Sequence, residues 1–247
     1  DWVVFPELAI CGYPPRDLLE KPTFLERSEA EVRRLSKELP DIPILLGYAR
    51  PFKAPEGKPA ADVATLFKGG KVLIDYSKIL LPTYDVFDEG RYFEPGHSCA
   101  IYPTHQHNVA ITICEDIWND KNFWEKRLYV RDPVEEAVKK GADLLVNIAA
   151  SPFSGGKISL REEMLRKVAT TYRLPVVYVN QVGGNDSLVF DGSSMAINAE
   201  GKVCARARSF AEDLVFFDTK SATQEIHSSP TSEIDGIFQA LVLGTQD

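Results

Sequence analysis

The sequence predicts an α/β fold with mixed sheets, because strand patterns alternate with helix patterns along the chain and are interrupted by hairpins. The chain has 247 residues, of which 44% are hydrophobic and 26% are charged. These proportions are ordinary for a globular protein, and the length accommodates one large α/β domain or two small ones. No internal repeat or low-complexity segment breaks the alternation.

The first part of the chain predicts a strand, a helix and a second strand. The opening "DWVVFPE" is the end of a strand pattern with no earlier element to pair with it, so we expect the natural N-terminus to lie further upstream. Thr23–Leu39 carries apolar residues on one side and charges on the other, which predicts an amphipathic helix. Pro40 and Pro43 end that helix, and "IPILLGYAR" follows as a buried strand.

Two hairpins come next. "DVATLFKGGKVLIDYSK" contains two strands around Gly69-Gly70, a typical hairpin signal, and "SCAIYP" with "NVAITIC" forms another pair. The H-x-H pair of His105 and His107 lies between those last two strands, in a polar loop. No acidic or cysteine partner stands at metal-ligand spacing near these histidines, so we expect no metal site.

The second half alternates helices with strands. "DPVEEAVKKG" predicts a helix with Asp132 as its N-cap, Pro133 in its first turn and Gly141 just after its last turn. The strand "ADLLVNIAAS", the helix "KISLREEMLRKVATTYR" and the strand "LPVVYVNQ" follow. A hairpin turning at Glu200-Gly201, a last strand "DLVFFD", a polar linker "TKSATQEIHSSPTSE" and a helix "IDGIFQALVLGTQD" complete the prediction.

Composition excludes several classes of function. The net charge of −8 argues against nucleic acid or an anionic membrane as a partner, because both require a basic patch. No apolar run is long enough to span a membrane, no signal peptide is visible, and "SGGK" at 154–157 lacks the flanking residues of a phosphate loop. The cysteines are scattered, which favours a reducing cytoplasm: Cys11, Cys99, Cys114 and Cys204.

Cys114 stands at the carboxyl end of a buried strand, "NVAITIC", where open α/β sheets place their chemistry. The two acids that follow it, Glu115 and Asp116, would raise the pKa of its thiol and weaken it as a nucleophile. Free cysteine is among the most buried residue types, so Cys114 is either a core residue or a nucleophile that is served by groups elsewhere. We expect the other cysteines to be small core residues.

Two further strand patterns end in a polar residue that could serve such a nucleophile. Glu7 follows "WVVFP", and Lys78 closes the hairpin at "VLIDYSK". Lys78 would supply positive charge that favours the thiolate, and Glu7 could take the thiol proton as a general base. A strand-end glutamate or lysine is usually a solvated surface charge, but together with Cys114 they supply a base, an electrophilic stabiliser and a nucleophile.

These three residues and the motifs around them resemble those of a known protein family. The chain resembles the nitrilase superfamily of carbon–nitrogen hydrolases, whose Glu-Lys-Cys triad matches Glu7, Lys78 and Cys114. More narrowly, it resembles the glutaminase domain of glutamine-dependent NAD synthetases, through "FPELAICGYPPRDLL", "YSKILLPTYDVFDEGRYFEPG", "ICEDIW", "NIAASPFSGGK" and "VVYVNQVGGNDSLVFDGSSMAINAEGKV". These passages cover nearly the whole chain.

The resemblance implies a four-layer αββα sandwich that lacks its first strand and helix here, and it implies homo-oligomers. It implies hydrolysis of the glutamine amide through a γ-glutamyl thioester on Cys114, with Glu7 moving the proton. Lys78 and the backbone N–H after Cys114 would hold the oxyanion. Glu89 matches a second family glutamate that orients the lysine.

The resemblance also implies a glutamine pocket, formed by Tyr84, Glu115, Trp118, Ser151 and Lys157. Glu115 suits the α-ammonium of the substrate, while Lys157 and Ser151 suit its α-carboxylate. Tyr84 and Trp118 could equally be core or wall residues. On this interpretation Glu115, which is unfavourable beside a nucleophile, is a substrate ligand.

The resemblance divides the chain into a glutaminase domain at 1–219 and a linker with a helix at 220–247, leading toward a synthetase domain that is absent from this sequence. ATP and magnesium would act only at that domain, where deamido-NAD is converted to NAD, and the glutaminase step itself needs no cofactor. Two alternatives stay open at this point. One is a stand-alone ω-amidase or carbamoylase of the same superfamily, and the other is a catalytically silent assembly module.

Overall fold

The computed structural model describes residues 1–39, 41–221 and 225–247. Within these residues the strands are β1 (Val3–Val4), β2 (Ile44–Pro51), β3 (Ala60–Lys68), β4 (Lys71–Ser77), β5 (Ala100–Pro103), β6 (Asn108–Ile113), β7 (Leu144–Ala149), β8 (Val176–Asn180), β9 (Val182–Asn185), β10 (Leu188–Asp191), β11 (Met195–Ile197) and β12 (Val203–Arg206). The helices are α1 (Pro22–Glu38), α2 (Glu89–Tyr92), α3 (Pro133–Lys139), α4 (Lys157–Tyr172) and α5 (Glu233–Gln246).

Most strands belong to two mixed sheets. One sheet has the strand order β1-β2-β3-β4, and the other has the order β12-β11-β8-β7-β6-β5. In the first sheet β1 runs parallel to β2, with Val3 opposite Ile44. In the second sheet β6, β7 and β8 are parallel neighbours, with Ile113 opposite Ile148. Because parallel strands end at the same edge, the residues that follow β6 and β7 lie side by side.

The sheets pack face to face and helices cover their outer faces. One apolar core contains Leu66 and Tyr76 from the first sheet together with Ile111 and Val146 from the second. α1 lies on the outside of the first sheet, while α3 and α4 lie on the outside of the second. The layers are therefore helix, sheet, sheet and helix, which confirms the predicted αββα sandwich.

Most predicted elements are confirmed, including the hairpin turns at Gly69-Gly70 and Glu200-Gly201. Asp132 caps α3 by accepting a hydrogen bond from the Glu135 N–H, and Gly141 follows the helix with a φ of 94°. His105 and His107 lie in the loop between β5 and β6, as expected. Pro40 and part of the polar linker, 222–224, lie outside the described residues.

Two predictions are wrong. "DLVFFD" is not a strand: Leu214 and Phe216 are 68% and 76% exposed, and no neighbouring strand pairs with this segment within the described chain. The second error is an omission: the β9–β10 hairpin, which turns at Asp186 with a φ of 55°, was not predicted. Its first strand, "VGGN", contains two glycines, which weaken the strand pattern.

The cysteines only partly follow the expectation for core residues. Cys204 is buried, but Cys11 and Cys99 are half-buried. Both half-buried thiols donate weak hydrogen bonds to nearby oxygens, Cys11 to Gly12 and Cys99 to Glu136. Polar contacts of this kind allow a thiol to lie at the edge of a core.

α5 packs on the β9–β10 hairpin through its small residues. Gly244 lies against Val189, and the backbone N–H of Gly184 donates to Asp247 at the end of the helix. Most of the apolar side chains of α5 point away from the hairpin: Ile234, Ile237, Phe238, Leu241 and Val242 are exposed. No helix in the described part of the chain has the length and apolar character needed to cross a membrane.

Candidate active site

Glu7 follows β1 in a segment that lies close against β2. The backbone N–H of Gly47 in β2 donates to the Pro6 carbonyl, and the Ile10 N–H donates to the Gly47 carbonyl. A Cβ on Gly47 would lie 2.6 Å from the Glu7 Cα, so the approach requires glycine. The Glu7 side chain is fully buried, with its Oε2 accepting a hydrogen bond of 2.6 Å from the Ala150 N–H just after β7. This contact ties Glu7 to the second sheet.

Lys78 follows β4 directly and its backbone is held on both sides. Its N–H donates to the Asp62 carbonyl at 2.9 Å, and its carbonyl accepts from the Gly96 N–H at 2.7 Å. Its fully buried ammonium donates to Glu7 Oε1 at 2.6 Å and to Glu89 Oε1 at 2.8 Å. Burial alone would lower the pKa of Lys78, but these two carboxylates raise it well above its ordinary value. Lys78 is therefore an ammonium ion at the working pH.

Cys114 is the first residue after β6 and opens the short 3₁₀ turn Cys114–Ile117. Its φ is +40°, a left-handed conformation that is costly for a residue with a Cβ. Asp116 holds this turn by accepting hydrogen bonds from the backbone of Ile113 and from the Tyr76 hydroxyl. The same carboxylate accepts from the N–H groups of Ile79 and Leu80 after β4. Asp116 therefore joins the cysteine turn to the lysine segment.

The charges around Cys114 determine the pKa of its thiol. Burial, followed by the charge of Glu7, raises the pKa of the Cys114 thiol well above its ordinary value, and Lys78 opposes this shift. The resting group is therefore a thiol, and its activation requires a base within reach. Strand β6, which ends just before Cys114, pairs with β7, and the Ala150 N–H just after β7 donates to Glu7. Glu7 in turn binds Lys78, so the predicted nucleophile, base and cation lie in one buried region.

Glu89, in α2, is the second carboxyl group that accepts a hydrogen bond from the Lys78 ammonium. It accepts a hydrogen bond of 2.8 Å from the Tyr13 hydroxyl as well as the bond from Lys78. Burial raises the pKa of Glu89 to about 7, although the Lys78 charge opposes the shift. Two carboxyl groups therefore bind one ammonium and fix its orientation, which supports the role predicted for Glu89 in orienting Lys78.

Glu115 points away from the cysteine turn toward the predicted glutamine pocket. The Tyr84 hydroxyl donates to its two carboxylate oxygens, at 2.9 Å and 3.0 Å. Burial raises the pKa of Glu115, and the hydrogen bond from Tyr84 partly offsets this. Lys78 and the hydroxyl of Tyr129, from the loop before α3, also lower the pKa of Glu115. Glu115 is thus a buried carboxyl group that Tyr84 holds in place, and a cationic ligand would compensate its charge.

Lys157 begins α4 and borders the same space as Trp118. Its ammonium lies 5.9 Å from the ring centroid of Trp118 and 5.8 Å from that of Phe87, which is cation–π distance. Burial lowers the pKa of Lys157, and the nearby Arg161 lowers it further. In the described ranges no carboxylate forms an ion pair with Lys157. A partly buried cation without an ion-pair partner is stabilised when an anionic ligand binds it.

Ser151 lies deeper than the other predicted pocket residues. Its backbone N–H donates to Asn180 at 2.8 Å, and its hydroxyl accepts from Arg161 at 3.4 Å. Arg161 in turn forms a buried ion pair with Asp191 of β10. The hydroxyl of Ser151 is thus connected to a buried network rather than directed at open space, although Ser151 follows Ala150, which binds Glu7. Its predicted contact with the substrate stays a prediction.

The structure shows site residues that the sequence analysis did not assign. Tyr13, Tyr129 and Asp62 join the site only through folding over long stretches of chain, so no local signal marked them. Asp116 was seen as an unfavourable charge and proves to be a structural acceptor. Glu7, Asp62 and Glu89 are the one described group whose carboxylates are close enough to share a metal ion, but the Lys78 ammonium already contacts them.

Comparison with known proteins agrees with this geometry. The profile of the carbon-nitrogen hydrolase family matches residues 1–227. The chain belongs to the carbon-nitrogen hydrolase family. Among its relatives in this family, the glutamine-dependent NAD(+) synthetase of Synechocystis is 41% identical over 256 residues, covering 100% of this chain and 46% of the relative. That of Acinetobacter baylyi is 36% identical, again over 100% of this chain and 44% of the relative.

Solved structures of carbon-nitrogen hydrolases share the fold. The glutamine-dependent NAD+ synthetase of Acinetobacter baumannii, in complex with ADP, superimposes with a TM-score of 0.86 at 34% identity, covering 100% of this chain and 45% of that one. A Nesterenkonia AN1 amidase of the nitrilase superfamily gives 0.68 at 21% identity, over 84% of this chain and 73% of the amidase, and shows the fold alone. This chain therefore spans about half the length of the synthetases that it matches.

Proposed function

We propose that the chain hydrolyses the side-chain amide of glutamine through a thioester on Cys114. One observation carries the proposal: the strand pairing of β6 with β7 and the hydrogen bond from Ala150 to Glu7 bring Cys114 into the same buried region as the ion pair of Glu7 and Lys78. Membership of the carbon-nitrogen hydrolase family supports the reaction class. The relatives named above, glutamine-dependent NAD synthetases, support glutamine as the substrate.

In the first half-reaction, the Cys114 sulfur attacks the amide carbon while Glu7 takes the thiol proton. The electron pair of the carbonyl moves to oxygen, where the Lys78 ammonium and the backbone N–H of Glu115 stabilise it. When the carbonyl reforms, the carbon–nitrogen bond breaks and Glu7 returns the proton to the departing ammonia. A γ-glutamyl thioester remains on Cys114.

In the second half-reaction, Glu7 takes a proton from a water molecule that attacks the thioester carbon. The carbon–sulfur bond breaks, glutamate leaves, and the cysteine sulfur recovers its proton. Glu89 does not exchange protons in this scheme. It keeps Lys78 directed at the oxyanion position, because it binds the ammonium together with Glu7.

Substrate recognition uses the two charged residues of the pocket, Glu115 and Lys157. The α-ammonium of glutamine binds Glu115, which Tyr84 holds, and this binding brings the pKa of Glu115 back down. The α-carboxylate binds Lys157, which has no ion-pair partner within the described residues, with Trp118 as a wall. Ser151 would join the carboxylate contact after a rotation of its side chain. A simple amide offers neither charge.

We further propose that the released ammonia feeds a synthetase domain, which converts deamido-NAD to NAD with ATP and magnesium. The support is that the chain spans about half of each synthetase that it matches. ATP and magnesium would act on that other half, and the glutaminase step would use neither. Residues 220–247, with α5, would form the connection after the domain at 1–219. The proposal includes a homo-oligomer in the cytoplasm, where the four free cysteines stay reduced.

The test is ammonia release from glutamine, asparagine and a simple aliphatic amide, measured with the wild type and with Cys114→Ala. We expect turnover of glutamine alone and a loss of about 10⁶-fold in the variant, the scale seen when a catalytic nucleophile is removed. Equal turnover of the simple amide would favour a stand-alone ω-amidase or carbamoylase. A folded protein that hydrolyses none of the three, even when fused to a synthetase domain, would favour an assembly module.

A further inference from the structure

Three carboxyl groups surround one ammonium ion at the centre of the site. The carboxylate oxygens of Glu7, Asp62 and Glu89 lie within 4.8 Å of one another, and all three side chains are buried. Lys78 is the cation that contacts them. If all three carboxyl groups were ionised, the cluster would hold more negative than positive charge where water does not reach. Buried charge without compensation is strongly unfavourable, so at least one carboxyl group keeps its proton.

The three carboxyl groups differ in the hydrogen bonds that they receive. Glu7 and Glu89 each accept one bond from Lys78 and a second from another donor. Asp62, within the described residues, has no hydrogen-bond partner on either oxygen, and its Oδ2 lies 3.9 Å from the Lys78 Nζ. Hydrogen bonds to the ionised form favour ionisation. The proton therefore goes to the carboxyl group without them, which is Asp62.

We infer that Asp62 is a neutral carboxylic acid in the resting protein, and that its neutrality keeps the Lys78 ammonium between Glu7 and Glu89. The Lys78 N–H is already bound to the Asp62 carbonyl, so the backbone of both residues is fixed and only the side-chain charge can draw the ammonium aside. An ionised Asp62 would pull the ammonium toward β3 and away from the oxyanion. Asp62 is thus a positioning residue, and its kinetic consequence rests on the proposed function.

The groups that face Asp62 support this protonation state. They come from each neighbouring segment: Glu7 after β1, Cys11 in the loop that follows, Lys78 after β4 and Glu89 in α2. Burial, and then the charge of Glu7, raises the pKa of Asp62 well above its ordinary value, while Lys78 opposes the shift. Burial, and then Asp62, raises the pKa of Cys11 to about 12, so this thiol adds no charge.

Infrared spectroscopy of the whole chain measures the protonation directly. At neutral pH we expect a carboxylic-acid C=O band that shifts when aspartate is labelled with ¹³C, a readout that needs no variant. We expect Asp62→Asn to remove that band and the surface control Asp75→Asn, whose carboxylate pairs with Arg50, to leave it in place. A spectrum in which no band responds to the aspartate label would overturn the inference. Because no substrate is used, this result is independent of whether glutamine is hydrolysed.

The reactivity of Cys114 tests the positioning role. Asp62→Asn preserves neutrality, so we expect iodoacetamide to alkylate the Cys114 peptide at neutral pH within about threefold of the wild-type rate. As the pH rises and Asp62 ionises, the wild-type rate should depart from that of the asparagine variant. Parallel pH profiles up to the alkaline limit of folding would contradict the role, as would a tenfold difference at neutral pH. Mass spectrometry separates Cys114 from the other cysteines.

Discussion

The proposed catalytic centre and the proposed glutamine pocket adjoin each other but are built differently. Glu7 and Lys78 are 0% exposed and follow strands of the first sheet, with backbone hydrogen bonds on both sides of the lysine. Tyr84, which holds the pocket carboxylate, is 41% exposed and lies in a loop, and Lys157 begins a helix. The proposed reacting groups are part of the core, whereas the proposed recognition groups extend from the buried Glu115 to Tyr84 and Lys157 at its edge.

The difference follows from what each region does. A dry, fixed site strengthens the interactions of Lys78 with a developing oxyanion, because little solvent must reorganise. A pocket has to admit its ligand, so its charges must be reachable. The free-energy cost of an unpaired charge also differs between the two regions. It is high in the buried centre, whereas the pocket tolerates Lys157 without an ion pair.

Removing a cation should therefore lower the stability of the protein much more in the centre than in the pocket. Lys78→Met leaves two buried carboxyl groups without their partner, and we expect the free energy of unfolding to fall by about 3 kcal/mol or more. Ammonia release should also fall by at least ~10²-fold through loss of the oxyanion contact. Urea denaturation and the ammonia assay measure the two effects.

The matched variant Lys157→Met should change the unfolding free energy by less than about 1 kcal/mol, because it removes a cation with no ion pair. Its effect should be on the KM for glutamine. Equal loss of stability in Lys78→Met and Lys157→Met would remove the distinction between centre and pocket.

Selectivity should depend on the pocket alone. Glu115→Gln keeps the size of the side chain and removes the charge that binds the α-ammonium. We expect kcat/KM for glutamine to fall by about 10²-fold while hydrolysis of a simple amide, where measurable, changes little, because a desolvated charge contact costs ~2–3 kcal/mol. If both substrates lost activity equally, Glu115 would belong to the reacting centre instead.

The position of Glu7 should depend on a glycine in the neighbouring strand. In Gly47→Ala the new Cβ would lie 2.4 Å from the Leu8 nitrogen, so the Glu7 segment must move. We expect kcat to fall by about 10²-fold with little change in KM, the scale of a displacement of ~1 Å. Gly184→Ala, whose Cβ would meet its nearest atoms at 3.4 Å, is the control. An unchanged kcat in Gly47→Ala would show that the base does not need this close contact.

The last prediction concerns the dependence of the unfolding free energy on pH. Burial raises the pKa of Glu89 from 4.5 to about 7, so the folded protein holds this proton more tightly than the unfolded chain does. Its contribution to stability is therefore fully present below about pH 4.5 and is lost as the pH rises through about 7. The difference in unfolding free energy between wild type and Glu89→Gln should fall over that interval, by no more than about 3 kcal/mol.

Glu136 gives the opposite sign and serves as the control. Its hydrogen bond with Arg131 lowers the pKa of this carboxyl group, so its contribution is present above the ordinary pKa and is lost as the pH falls. Urea denaturation of Glu136→Gln should show a difference that stays nearly constant from about pH 5.5 to 7 and shrinks as the pH falls below about 4.5. A difference that falls between about pH 4.5 and 7 in both variants would contradict the raised pKa of Glu89 as its cause.

Local patterns predicted the mixed α/β fold and the strand-end positions of three polar residues, whereas the two-sheet sandwich and the joint role of these residues came from the family resemblance. Glu7, Lys78 and Cys114 each follow a strand, and the strand before Cys114 is a buried run. The β9–β10 hairpin was missed because its glycines hide the strand pattern. "DLVFFD" was assigned wrongly because alternating apolar residues form a strand only when a neighbouring strand accepts their hydrogen bonds.

Residues that join the site over long distances in sequence could not be predicted. Asp62 lies in the buried, mostly apolar strand β3, and a single polar residue in such a strand does not by itself indicate a functional site. Only the folded chain shows that it shares a cluster with Glu7 and Glu89. Tyr13 contacts Glu89 across 76 residues. The protonation states of such groups depend on neighbours that the sequence does not place.

The most direct test of the account is a rapid-quench experiment with glutamine, followed by mass spectrometry of the cysteine peptides. The account predicts a γ-glutamyl adduct on the Cys114 peptide during turnover, none on the buried Cys204 peptide, and none in Cys114→Ala, which releases no ammonia. Steady ammonia release by Cys114→Ala, or an adduct on a different residue, would contradict the claim that the cluster of Glu7, Lys78 and Cys114 is the reacting centre.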